Sequence, residues 1–193
     1  LTDTLTKFRA DPAIHFIVAF FHHCAFATSS KHASDGGVRA ALAPLFDRFS
    51  VDLVVQGHNH QYERTNPIRA GRSTMQASDR STVWPANDGT TYICVGSGGR
   101  PRYGWQPGEG DRYRGGPNPD SGTVVRSYLA GPAGTRTPET VDWSQARYLD
   151  YAYLSVAVHP AAPGGTASLR VTARSDLGNE IDRVDLLRSV PAG

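Results

Sequence analysis

The chain has 193 residues, enough for one domain with a sizeable core. Its composition, 39% hydrophobic and 20% charged, argues for a soluble globular protein, and its longest apolar run, Ile14 to Phe21, falls far short of the roughly 20 residues a bilayer span requires. A formal charge of +2, from 20 basic and 18 acidic side chains, excludes a global field that would recruit nucleic acid or an anionic membrane, so partners must be recognised at local sites.

Leu1, Leu5 and Phe8 share one helical face, and Asp11-Pro12 ends that helix. The run Ile14 to Phe21, rich in β-branched and aromatic residues, predicts a strand buried on both faces of a sheet. A polar loop from His22 to Gly37 follows. Val38, Ala41, Leu42, Leu45, Phe46 and Phe49 then recur at helical spacing, and Pro44 within them predicts a kink or a first turn close to it. Asp52 to Gln56 is a second short strand, so residues 1–64 read as a βαβ unit with parallel neighbours. Residues 65–148 read as loop-rich insertions around one strand, Thr90 to Val95. Within them the stretch 96–134 holds 11 Gly and five Pro. Residues 149–193 read as antiparallel strands over Tyr151 to His159, Ala167 to Arg174 and Ile181 to Leu187.

Four of the seven histidines fall just after the C-terminal ends of the two predicted parallel strands, the edge where open α/β sheets bind ligands. His22-His23 follows the first strand and Gly57-His58-Asn59-His60 the second. Gly57 permits a sharp turn, and in an extended turn His58 and His60 project to the same side. Neutral imidazole is a common metal ligand, so His22, His58 and His60 together predict a metal site. His15 and His159 read as core or surface residues. Cys24 and Cys94 allow at most one disulfide, exclude a Cys-only zinc site within the chain, and read as free buried thiols. The Gly96-Ser97-Gly98-Gly99 turn fits an anion-binding nest and a plain tight turn equally well. Arg100, Arg102, Arg112 and Arg114 read first as a solvated loop and second as contacts to a phosphate.

Val18-Ala19-Phe20-Phe21-His22-His23 and Gly57-His58-Asn59-His60, followed by Tyr62-Glu63-Arg64, resemble the last two metal-binding motifs of the calcineurin-like metallophosphoesterases. The trailing Tyr-Glu-Arg narrows the resemblance to the purple acid phosphatase branch. It covers about residues 1–64, with a looser echo over 90–99. The resemblance implies an α/β domain of four α-β-β-α layers, of which this chain supplies the C-terminal half. It also implies two metal ions, drawn from Fe, Zn and Mn, that activate water for in-line attack on a phosphoric ester. By the same resemblance His22 and His58 bind one metal, His60 binds the other, and His32 contacts phosphate or protonates the leaving group. His23, Asn59 and Arg100 are weaker candidates for substrate contact, and Asn59 more readily orients the neighbouring ligands.

The family's first three motifs, which carry its Asp, Tyr and Asn ligands, do not occur in these residues. The chain therefore reads as half of a domain whose N-terminal half is a separate chain or a missing segment. The expected partner is a phosphate-ester substrate, with no nucleic acid and no membrane span, and the resemblance implies a secreted or cell-envelope setting. Phosphomonoester hydrolysis is the leading expectation. A phosphodiesterase or nucleotidase with the same metals, or a non-catalytic metal-binding module, are the alternatives.

Overall fold

A computed structural model describes residues 1–105 and 125–192. Helix α1, Thr2–Ala10, ends at Asp11 as expected, and of its apolar face Leu5 is buried while Leu1 and Phe8 stay exposed. Strand β1 is Val18–Phe20, followed by β2 (Ser34–Asp35) and helix α2 (Gly36–Arg48). Asp35 caps α2, its carboxylate accepting from the Val38 amide at 2.9 Å. Pro44 lies in the interior of this single helix, not near its first turn. Strands β3 (Leu53–Gln56), β4 (Tyr62–Thr65), β5 (Ile68–Arg69), β6 (Arg72–Ser73) and β7 (Ser81–Val83) come next, then the short helix α3 (Pro85–Asp88) and β8 (Thr91–Val95). The remainder is β9 (Val125–Ala130), β10 (Arg136–Val141), β11 (Ser144–Tyr148), β12 (Ala152–His159), β13 (Thr166–Ser175) and β14 (Glu180–Ser189).

A five-stranded sheet in the order β1-β3-β8-β4-β11 forms the centre, and its first three strands run parallel. The antiparallel β12-β13-β14 meander, with β7 added at its far edge, forms a second sheet. Alternation along the central strands sends neighbours to opposite faces. Val54 and Tyr92 join Leu5, Phe26 and Phe46 on the helical side, whereas Leu53 and Ile93 pack with Leu169, Val171, Val184 and Leu186 of the second sheet. The chain is thus a mixed α/β fold of helices, sheet and sheet.

Two sequence expectations change. The strand expected over Ile14 to Phe21 is only three residues long and lies at the edge of the central sheet, with Phe20 82% and Val18 41% exposed, so it is not covered on both faces. Residues 65–148 hold seven described strands instead of one. Two of them, β9 and β10, form a hairpin with β2 alongside, and β11 closes the central sheet against β4.

The two sheets are joined by buried charge. Arg64 on β4 donates from Nε and Nη2 to the Asp182 carboxylate of β14 at 2.6 and 2.9 Å, and the Tyr62 hydroxyl donates to the same group at 2.6 Å. Burial pulls the guanidinium pKa down, but the Asp182 charge outweighs it and holds Arg64 ionised. Removing one partner leaves the other charge uncompensated in the core. Asp182→Ala is therefore expected to lower unfolding stability by about 3–5 kcal/mol in urea titrations. Arg170→Ala, at an exposed ion pair with Asp185, is expected to leave the midpoint within experimental error.

Candidate metal centre

Parallel pairing of β1 with β3 ends both strands at one edge of the sheet. The turns that follow are joined through backbone. The Phe21 amide donates to the Val55 carbonyl at 3.2 Å, and the amides of Gly57 and His58 donate to the His22 carbonyl at 3.1 and 2.8 Å. This fixes the histidine pairs against each other before any side chain is considered.

His22 Nε2 and His58 Nδ1 lie 3.0 Å apart. The rings of His23 and His32 stand 4.6 and 4.2 Å from that of His58, so four of the expected residues form one cluster centred on His58. His60 turns elsewhere. Its Nδ1 lies 2.8 Å from the Pro101 carbonyl, to which it donates, and its ring stacks on Tyr103 at 4.0 Å. That bond fixes the tautomer and leaves the His60 Nε2 lone pair free. Asn59, between the two histidines, is fully buried, and its Nδ2 donates to the Ala33 carbonyl at 3.1 Å. Arg100 is exposed, and Arg102 pairs with Asp150 at 2.7 Å. Arg112 and Arg114 lie outside the described residues.

Burial and the surrounding imidazoles of His32, His23, His22 and His60 push the His58 pKa down to about 4. His32 is also lowered, first by burial and then by the charges of Lys31, His60 and His23. Burial and neighbouring charge therefore disfavour the protonated forms of His58 and His32.

Two imidazole nitrogens on one ion, each about 2.0–2.1 Å from it, sit about 3 Å apart when they occupy neighbouring coordination positions. The His22 and His58 nitrogens have that separation, and both are donors suited to Zn, Fe or Mn. These residues fit part of a metal centre. Among the described residues no group of three or more His, Cys, Asp and Glu side chains is arranged to hold a metal ion.

The contacts made by Glu63, Pro101 and Tyr103 behind the cluster were not visible in the residue pattern, whereas the cysteines are as expected. Glu63, 1% exposed, accepts from the Thr28 amide at 2.8 Å, the Thr28 hydroxyl at 2.6 Å and the Ser144 hydroxyl at 2.5 Å, and so ties the loop after β1 to the central sheet. The segment after β8 folds back over His60 through Pro101 and Tyr103, with the Lys31 ammonium 4.6 Å from the Tyr103 ring centre. Cys24 and Cys94 are free and buried, the Cys24 thiol donating to the Cys94 sulfur at 3.2 Å, and burial pushes the Cys94 thiol up. In the Gly-rich turn, Gly96 packs closely on backbone. A Cβ there would lie 2.1 Å from the Gly57 carbonyl oxygen and 2.3 Å from that of Asn59.

The structure of a purple acid phosphatase from yellow lupin (Lupinus luteus) seeds superposes with a TM-score of 0.63 at 16% identity, covering 97% of this chain and 28% of that one. In sequence, an uncharacterized protein of Mycobacterium tuberculosis is 32% identical over 181 residues, 87% of this chain and 33% of its own length. A protein of Arabidopsis thaliana described as "Probable inactive purple acid phosphatase 1" is 29% identical over 85 residues, 44% of this chain and 13% of its own. A nucleotide pyrophosphatase/phosphodiesterase of Hordeum vulgare is 30% identical over 79 residues, 38% and 21% of the two chains. No family model matches the chain. The chain has the fold of the part of that purple acid phosphatase it covers, and it is related in sequence to purple acid phosphatase-like proteins. It spans about a third of the length of the mycobacterial relative. Among the described residues no helix is long and apolar enough to cross a membrane.

Two outcomes follow from this geometry. In the metal-free protein the His58 ring stays neutral on acidification until about pH 4, which an NMR titration of its carbon-bound ring protons reads directly. A midpoint near the ordinary 6.5 would show that burial and the neighbouring rings do not act on it. Gly96→Ala is expected to displace the 57–59 turn, because the new methyl meets backbone, not a movable side chain. Shifted His58 and His60 resonances in that variant would report the displacement.

Proposed function

We propose that residues 1–193 form the C-terminal half of a metallophosphoesterase domain that hydrolyses phosphomonoesters, and that an N-terminal half supplies the remaining metal ligands. The 3.0 Å approach of His22 Nε2 to His58 Nδ1, at the C-terminal ends of two adjacent parallel strands, carries this reading. Support for such a half comes from the place of β1 at the sheet edge among the described strands, with Phe20 exposed, and from the chain's spanning a third of the mycobacterial relative's length. The same reading sets the whole protein outside the cytoplasm, in a secreted or cell-envelope position.

On this reading His22 and His58 would hold one metal, and His60, whose Nδ1 donates to the Pro101 carbonyl, would hold the second. When bound, the pair of ions lowers the pKa of water and draws charge from the phosphate oxygens. His32, beside His58 on the solvent side of the loop, meets the substrate phosphate and gives a proton to the departing alkoxide. Its lowered pKa sets the sign of the pH dependence. The imidazolium that donates the proton is populated only on the acid side of the ordinary value, and a cation bound beside it lowers the pKa further in the same direction. Hydrolysis is therefore favoured by acid and falls as pH rises. His23 and Arg100 are the remaining candidates for substrate contact, the first within the cluster and the second exposed beyond β8.

The deciding experiment uses the full-length protein with 4-nitrophenyl phosphate and its bis-ester. Bound metal and a faster rate on the monoester are expected. His32→Ala should lose about 10²-fold to 10⁴-fold in turnover, keep its metal, and lose the fall in rate on the alkaline side. His58→Ala should lose metal and activity together. A faster rate on the bis-ester would favour the diesterase reading, which the barley relative supports. Bound metal without turnover would leave the non-catalytic metal-binding module, and absence of both would refute the metal-centre reading.

A further inference from the structure

The loop that carries His32 is bound to the body of the protein from beneath. The Asp35 amide donates to the Cys24 carbonyl at 2.8 Å, the Ser30 amide to the Gly104 carbonyl at 2.9 Å, and Glu63 takes both donors of Thr28. On either side of His32 the Tyr128 hydroxyl donates to the Lys31 carbonyl at 3.0 Å, in an exposed setting, and Asn59 Nδ2 donates to the Ala33 carbonyl at 3.1 Å, out of water. Ala33 has φ +52°, in the left-handed region that an alanine enters only against steric cost. The other half of the Asn59 amide adds a second cost, since its buried Oδ1 has no hydrogen-bond partner among the described residues. An apolar side chain of the same size would avoid that cost. What asparagine gains at this position is the bond to Ala33, together with a side-chain contact to the Cys24 thiol.

From this we propose that Asn59 is a positioning residue for His32, holding Ala33 in its left-handed conformation and thereby fixing where the His32 ring stands. The inference rests on the substrate-directed role assigned to His32 above. The Ala33 carbonyl can reach Asn59 only while the peptide between residues 33 and 34 keeps its present orientation. Released from that bond, Ala33 relaxes toward the right-handed or extended wells and the preceding peptide rotates with it. The His32 ring then leaves its place 4.2 Å from the His58 ring. Asn59 is flanked by His58 and His60 in the chain, so one turn presents two imidazoles outward and, through its middle residue, steers a third. Full burial removes Asn59 itself from substrate contact.

A double-mutant cycle on the full-length protein tests this, with 4-nitrophenyl phosphate as substrate. Asn59→Leu is expected to lower kcat at least 10-fold at unchanged metal content. The Asn59→Leu/His32→Ala pair is expected to be no slower than His32→Ala alone, because a residue that acts only through His32 has nothing further to lose. Multiplication of the two losses, or loss of metal from Asn59→Leu, would overturn the proposal and make Asn59 a support for the neighbouring histidines. Asn59→Asp, similar in size and polar but without the amide donor, repeats the cycle should the leucine variant fold poorly. Amide hydrogen exchange separates the two readings. The Lys31 and Asp35 amides should exchange at least 10-fold faster in either variant while those of β3 are unchanged. Equal exchange in variant and parent would refute the positioning role whatever the activity, whereas full activity of His32→Ala alone would refute the role of His32 and leave the exchange result to decide for Asn59.

Discussion

A charge taken into a protein core must meet a partner there, and strand β4 carries two such charges on successive residues. Arg64 faces the second sheet and is matched by Asp182. Glu63, pointing to the opposite face as strand alternation requires, is matched by the donors of Thr28, Ser144 and Gln61, with the Arg147 guanidinium 3.6 Å away. The first pair sets how the sheets sit on each other. The second holds the loop between β1 and α2 against the central sheet. Since His60 lies two residues before this strand, the histidine turn and the His32 loop are both referred to the same rigid piece of backbone.

That rigidity matters because the histidine cluster has little to hold it together by itself. Imidazoles within 5 Å of one another repel once protonated, and the depressed pKa of His58 measures how far burial and its neighbours resist the charge. A set of lone pairs without a carboxylate is a poor counterpart for two multivalent cations. On the proposed reading the negative ligands arrive from the half of the domain that pairs with the edge of β1. The exposure of Val18 and Phe20 fits that arrangement, since a strand edge with apolar side chains in water is a surface prepared for pairing.

Much of the framework was legible in the residue pattern. Leu53 to Gln56 and Thr91 to Val95 are apolar runs with no competing helical period, and Ala152 to His159 is rich in β-branched and aromatic residues, so these strands lie where expected. What was missed shares a physical reason. Tyr62 to Thr65 is polar along its length yet wholly buried, because its charges and hydroxyls are satisfied across the core, and periodicity of hydrophobicity cannot register such a strand. The same holds for Ser144 to Tyr148, whose buried residues include Ser144, Gln145 and Arg147. Strand β10 carries Pro138 and exposed polar residues, the usual marks of a loop, and it exists through its pairing with β9. That His22, His23 and His58 come together could be anticipated because two adjacent parallel strands end at one edge. The contacts of Tyr103 and Pro101 could not, because a loop's return path leaves no local signature.

The spacing of His58 and His60 holds a further lesson. Alternation along the turn does place Asn59 inward and both imidazoles outward, yet the two rings part company, one toward His22 and the other toward Pro101 and Tyr103. Two side chains two residues apart need not serve one ion. Here each ring is held by a different partner on a different loop, and the His58 and His60 lone pairs are separated by the very contacts that fix them. On the proposed reading this divergence assigns one histidine to each metal. A centre of two ions, shared between turns that the sheet edge brings together, is then a consequence of the backbone: β3 ends once but delivers ligands in two directions.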